Sequence, residues 1–266
     1  MRFSKWHALG NSYLLLERSD LGRPLDPELA RRLCDVRVGV GADGVLEVLE
    51  SDTSSASVAI WNPDGSPAEF SGNGTRIAAA WLARRGGVDS VSISVGERRY
   101  AAALAGDGLV EAAIGPVEVR ATETIDVAGE RVELTPVSVG NPHAVVRREP
   151  RREALLRLGP LLERHEQFPR RTNVQFIRVD GPHDVTAIVW ERGAGETSAS
   201  GSSAVAVAAA SIVNGWCESP VRVRFPGGEL DVVLDVENNA TLTGPAEEIC
   251  EGEVLSLPRY AAGGKF

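Results

Sequence analysis

Lysine is almost absent from this chain: Lys5 and Lys265 are the only two in 266 residues. A cofactor held as a Schiff base needs a lysine. Lys5 opens a strand-like segment and Lys265 sits in the C-terminal tail, so pyridoxal phosphate chemistry is not expected. Cysteine is scarce too. Cys34, Cys217 and Cys250 lack metal-ligand spacing, which leaves three reduced, mostly buried thiols as the expectation. Neither a metal nor another cofactor is called for. Long apolar runs are missing. The longest falls within residues 204–213, far short of the roughly 20 residues that span a bilayer. No charged stretch leads into an apolar one at the start, so a secretory signal is not expected and the cytoplasm is the default. Clustered positive charge is also missing. The net charge is −9 and the basic residues are scattered, which argues against a nucleic-acid surface or an anionic membrane patch.

What is present is a duplication. Val58–Trp61 ("VAIW") answers Ala187–Trp190 ("AIVW"), and Ser71-Gly72 answers Ser200-Gly201. Gly86 answers Gly215, and Gly115-Pro116 answers Gly244-Pro245, all in the register that takes 71 to 200. Leu9–Asn11 ("LGN") answers Val139–Asn141 ("VGN") one position further on. Four anchors in one register and a fifth one position off, spread over most of the chain, are hard to obtain by chance. Each half reads as strands paired about a Gly-Asn turn, then an apolar strand, a polar Gly-rich loop and an Ala-rich helix that stops at glycine. Alternating strands follow.

The fold class expected is therefore α/β (α+β), with two homologous domains related by a pseudo-twofold. Each is a mixed sheet or barrel around a central helix. The boundary is placed near Gly115–Val119, giving domains 1–116 and 117–250, with residues 251–266 packing back on the first.

Two matching domains suggest a site in the cleft between them, with one helix start from each aimed at it. Exposed N–H groups and the helix dipole make each start an anion site, and two together suit a small carboxylate. Serine is also a preferred N-cap, so Ser-Gly before a helix is compatible with capping alone. Against capping alone, both loops share other features: a carboxylate upstream, Glu69 or Glu196, and a strand ending in tryptophan plus a polar residue, Asn62 or Glu191.

At these residues the chain resembles the diaminopimelate epimerase family. The motifs "KWHALGNSYLLLE", "GVGADGVL", "NPDGSPAEFSGNGTR", "GNPH", "RTNVQF" and "ERGAGETSASGSS" carry the resemblance over nearly the whole length. It implies a cofactor-independent epimerase that converts LL- to meso-diaminopimelate, for lysine and cell-wall precursors, working as a cytoplasmic homodimer on a small-molecule substrate. Two cysteines act from opposite faces of the α-carbon in the family's pattern, "CGNG" and "ACGTG". Ser71 and Ser200 stand at those positions here.

A free thiol has a pKa of about 8.5 and an alcohol one near 15.7. The gap is worth on the order of 10 kcal/mol, and helix dipoles of about 1 kcal/mol each do not close it. Both serines are poor bases unless a neighbour takes their protons, and the resemblance puts His143 and Glu191 near the second of them. It also implies that Asn11, Asn62, Asn141, Asn173, Glu191 and Arg192 grip the distal amino and carboxylate groups. Gly72, Asn73, Gly74, Gly201 and Ser202 would hold the reacting carboxylate. Asparagine supplies donor and acceptor, and arginine pairs a carboxylate with two bonds. Read without the family, Asn11 and Asn141 also fit turns, Asn173 a strand end and Arg192 the surface. His7 and His183 read as structural. Three functions stay open: a diaminopimelate epimerase impaired as it stands; an isomerase or dehydratase of another small acid that uses Glu191 or His143 as base; and a non-catalytic amino-acid binder.

Overall fold

The computed structural model describes residues 1–255. Lys265 and residues 256–266 of the expected tail 251–266 lie outside the described residues. The order of strand pairings is the same in both halves. In the first, Arg2–Ala8 runs antiparallel to Asn11–Glu17, which is parallel to Val45–Ser51. Val45–Ser51 is antiparallel to Ser55–Trp61, which is parallel to Ser90–Val95. Arg98–Leu104 and Leu109–Pro116 then add antiparallel. In the second half, Glu130–Ser138 is antiparallel to Pro142–Arg147, which is parallel to Asn173–Gly181. Asn173–Gly181 is antiparallel to Asp184–Glu191, which is parallel to Val221–Phe225. Gly228–Leu234 and Asn239–Pro245 complete it antiparallel. The mixed sheet and the repeat read from the sequence are thus both present.

The halves are joined by Leu109–Pro116 pairing antiparallel with Asn239–Pro245. Beyond each of these strands the chain crosses over. Glu118–Val119 pairs with Glu130–Ser138, and Glu247–Glu253 pairs with Arg2–Ala8. The return to the first half therefore begins at Glu247, ahead of the expected boundary at residue 250.

Two helices, Gly72–Gly86 and Gly201–Val213, run through the two main cores. Every residue from Gly201 to Ser211 is buried. A helix enclosed on all sides has no need of a polar stripe, and alanine and valine let the surrounding strands approach closely. Besides the short helix Arg18–Leu21, two longer helices pack outside. Pro27–Cys34 is capped by Asp26, whose side chain accepts from the Leu29 N–H at 2.8 Å. Arg152–Glu163 covers a third apolar cluster through Leu155, Leu158 and Leu162.

The glycines flanking the central helices have different reasons. The first helix is closed by Gly87 in the left-handed region, one residue later than expected. Gly86 is instead required by space, since a Cβ there would lie 2.1 Å from the Thr53 carbonyl oxygen. At the other end the helices touch. A Cβ on Gly72 would lie 3.1 Å from Gly201 Cα, and one on Gly201 would lie 2.9 Å from Arg76 Nη1 and 3.1 Å from Gly72 Cα. The contact is backbone on backbone, so neither side yields cheaply. Gly201→Ala is expected to cost about 1–3 kcal/mol, as over-packing does, and to lower the melting temperature by about 2–4 °C per kcal/mol. Scanning calorimetry checks this, and an unchanged melt would show that the helix starts have slack.

Candidate active site

The paired helix starts form the floor of a cleft of about 790 Å³. Ser71 caps the first helix in the ordinary way: its Oγ accepts the Gly74 N–H at 3.0 Å. The same oxygen lies 3.0 Å from the hydroxyl of Tyr13. Burial pushes that phenol up to about 12, so it stays neutral and able to donate at physiological pH.

Ser200 occupies the matching N-cap position but its side chain does not cap. Its hydroxyl donates instead to Glu191 Oε2 at 2.9 Å, while Thr197 donates to Oε1 at 2.6 Å. Desolvation raises the Glu191 carboxyl above its usual range, opposed by the bonds from Thr197 and Ser200. Capping therefore accounts for Ser71 and not for Ser200. Of the two serines, only Ser200 hydrogen-bonds to a carboxylate.

Most of the expected site residues meet here. Asn11, Asn62, Ser71, Gly72, Asn73, Asn141, Asn173, Glu191, Arg192, Ser200, Gly201 and Ser202 all line the cleft. Two do not. Gly74 is occupied in the cap of Ser71. His143 lies buried behind Asn141, with Nε2 at 2.9 Å from Asn141 Oδ1 and Nδ1 at 3.0 Å from Gln175 Nε2. Burial, helped by the charge of Arg192, lowers it to about 3, so it is neutral across the working range. With both nitrogens engaged, it orients Asn141.

Asn173 is largely used up by the protein. Its amide donates to the Pro142 carbonyl at 3.0 Å and its Oδ1 accepts the Arg192 N–H at 2.9 Å, which places Arg192 at the cleft. Outside the cleft, His183 Nδ1 lies 2.9 Å from the carbonyls of Glu218 and Pro220, and His7 accepts the Gly10 N–H at 3.4 Å. Both fit the structural role expected. Cys34 and Cys217 are buried, whereas Cys250 is exposed, and all three are free.

Sequence reasoning passed over several lining residues. Tyr13 and Asp43 sit beside the Gly-Asn turn of the first half, where Asp43 accepts from the Ser12 N–H and hydroxyl at 2.7 and 2.9 Å. Thr197 orients Glu191. Arg98 reaches from the first half to the Gly140 turn of the second, where a Cβ would meet its Nη1 at 2.1 Å. The motif "GNSY" held a signal for Tyr13, two residues past Asn11 on the same strand face. Nothing local marked Arg98. Among the described residues, no group of three or more His, Cys, Asp or Glu is placed to hold a metal ion, and no helix is long and apolar enough to cross a membrane.

Comparison with known proteins fits this architecture. A family profile described as diaminopimelate epimerase matches residues 3–119 and 135–249. The chain is 37% identical to a protein named diaminopimelate epimerase from Desulfitobacterium hafniense, over 96% of this chain and 98% of that one. It is 36% identical to one from Synechococcus elongatus, with 96% and 98% covered. Among solved structures, it superposes on a probable proline racemase from Agrobacterium radiobacter with a TM-score of 0.72 at 18% identity, covering 95% and 92% of the two chains. A hydroxyproline epimerase from Agrobacterium vitis gives 0.70 at 17%, covering 95% and 91%. These structural likenesses share the fold.

Proposed function

The chain belongs to the diaminopimelate epimerase family, and on that footing we propose that it binds a diaminopimelate-like amino acid in this cleft and moves the proton on one α-carbon without a cofactor, at a rate held down by Ser71 and Ser200. The observation that carries this reading is the meeting of two helix starts at Gly72 and Gly201, on the floor of one cleft ringed by asparagines and Arg192. Removing an α-proton drives negative charge onto the adjacent carboxylate. Backbone N–H groups at two helix starts are set to receive that charge, and preorganised donors of this kind are among the strongest sources of transition-state stabilisation. Asn11, Asn62, Asn141 and Arg192 then take the far end of the ligand. A cytoplasmic homodimer serving lysine and cell-wall precursor synthesis belongs to the same proposal.

The proton steps differ on the two sides. On the Ser200 side, Glu191 already accepts the hydroxyl proton and is the group that takes a proton, directly or through Ser200. On the Ser71 side the hydroxyl meets a neutral phenol and a backbone N–H, so no base stands there. Proton exchange should therefore outrun inversion. This one-sidedness also favours a second reading, an isomerase that shifts a proton on one face of another small acid with Glu191 as base.

Titration calorimetry separates the readings. Diaminopimelate is expected to bind, and lysine, which lacks the distal carboxylate, at least about ten-fold more weakly, consistent with the loss of a charge-assisted pair. Equal affinity would remove Arg192 from its role. No binding of diaminopimelate would move the second reading ahead.

A further inference from the structure

Among the described residues Arg76 is the largest side chain that is fully enclosed, with no exposed surface. It extends from the first central helix to the point where both helix starts meet, so that a Cβ on Gly201 would lie 2.9 Å from its Nη1, while Nε lies near Gly244. Nη1 donates to the Gly72 carbonyl at 3.0 Å and Nη2 to Asn73 Oδ1 at 2.9 Å. Nε has no partner. Among the described residues no carboxylate forms an ion pair with it, and burial is the sole influence on its basicity, lowering it to about 10. It stays charged at neutral pH. The repeat does not require it, because the matching position in the second half is Val205. A buried charge without a counter-ion is costly to keep.

The same arginine fixes a direction of hydrogen bonding. A guanidinium only donates, so the Asn73 atom it meets is the oxygen. The Asn73 amide nitrogen must then donate onward, and it does so to Asn11 Oδ1 at 3.2 Å. That leaves the Asn11 amide hydrogens as its offer to the cleft. The matching relay in the second half, Gln175–His143–Asn141, contains no obligatory donor. Gln175 and His143 accept either orientation there.

We infer that Arg76 is a positioning residue for carboxylate recognition: it holds Asn11 as an N–H donor through Asn73 and sets a buried positive charge behind both helix starts. The inference rests on the cleft being a carboxylate site, and deepens that reading by naming the charge that neutral helix starts lack.

The test uses the full chain and two probes, acetate and diaminopimelate, with binding followed by amide chemical shifts and melting checked for each variant. Arg76→Met is expected to weaken acetate binding at least ten-fold. Arg76→Lys should keep most of it near pH 6. A buried lysine titrates below its usual range, so acetate binding by this variant should be lost as pH rises through that lowered value. The parent protein should hold its affinity to pH 9. If Arg76→Met does not fold, the pH profile of Arg76→Lys decides alone. The inference is overturned if folded Arg76→Met binds acetate like the parent, if the two pH profiles coincide, or if the parent does not bind acetate. Arg76-dependent binding of acetate without binding of diaminopimelate would support the inference while removing the proposed substrate.

Discussion

Ser71→Cys combined with Ser200→Cys is expected to raise inversion of the diaminopimelate α-carbon by about 10²–10⁴-fold, the usual contribution of a positioned acid or base. Each cysteine would sit at the start of a buried helix, where N–H groups and the dipole favour the thiolate. Serine in the same place keeps its proton, because the gap between alcohol and thiol is roughly seven pKa units. Inversion needs a base on one face and an acid on the other. The single variants should therefore give far less than half the gain each, since groups that act as a unit are not additive. Running the reaction in D₂O and reading deuterium uptake beside stereochemistry separates the steps. A single-Cys variant is expected to exchange more than it inverts. A double variant that binds ligand but neither exchanges nor inverts would end the view that this scaffold is a disabled epimerase.

Glu191→Gln is expected to abolish the residual exchange of the parent protein, by about 10²-fold or to the detection limit. Glu191 accepts from Ser200 and Thr197, and Tyr13, opposite, is neutral until about 12. The sign of the pH dependence follows from its raised carboxyl. As a base it works only when ionised, so exchange should rise with pH through a value above the ordinary carboxylate range and then level off. Folding runs the other way. A carboxyl whose pKa is higher folded than unfolded contributes stability that is fully present below the unfolded pKa and lost as pH rises through the folded one. Glu191→Gln should remove both dependences. If the rising limb survives in the variant, the base lies elsewhere. His143 is a poor candidate for it, being neutral, buried and bonded through both nitrogens.

Much of this molecule was legible before any coordinates. The register from 71 to 200 located both central helices and both serine loops, because a duplicated fold repeats the residues its geometry needs. The glycines at 72 and 201 belong to that set, and their reason is the contact they make with each other. The two longer outer helices escaped notice although they belong to the repeat: each joins the matching pair of parallel strands in its half, and only Leu29 and Leu33, answering Leu158 and Leu162, mark the match in sequence. The glycine stop of the first helix fell one residue early, since Gly86 serves a close approach to Thr53 and Gly87 serves the cap. Cys250 was expected among mostly buried thiols and is exposed, on a strand that leaves the second half to pair with the first.

Sequence by itself determined the repeat, the mixed strand-and-helix order and the family, since these rest on residue types in fixed positions along the chain. It also determined that serine stands before each of the two matching helix starts. Only the tertiary structure decided what each alcohol meets. Two serines that each precede a glycine at a helix start face different partners in space: Ser71 a phenol and its own helix, Ser200 a carboxylate. The residue after the strand tryptophan is Asn62 in one half and Glu191 in the other, and folding sets that difference at hydrogen-bond distance from one hydroxyl. The arginine behind both helix starts was likewise visible as a letter. Its burial and its missing counter-ion arise only when two distant segments close over it, because a side chain's solvation and charge partners are set by what the fold packs around it and not by its neighbours in the chain.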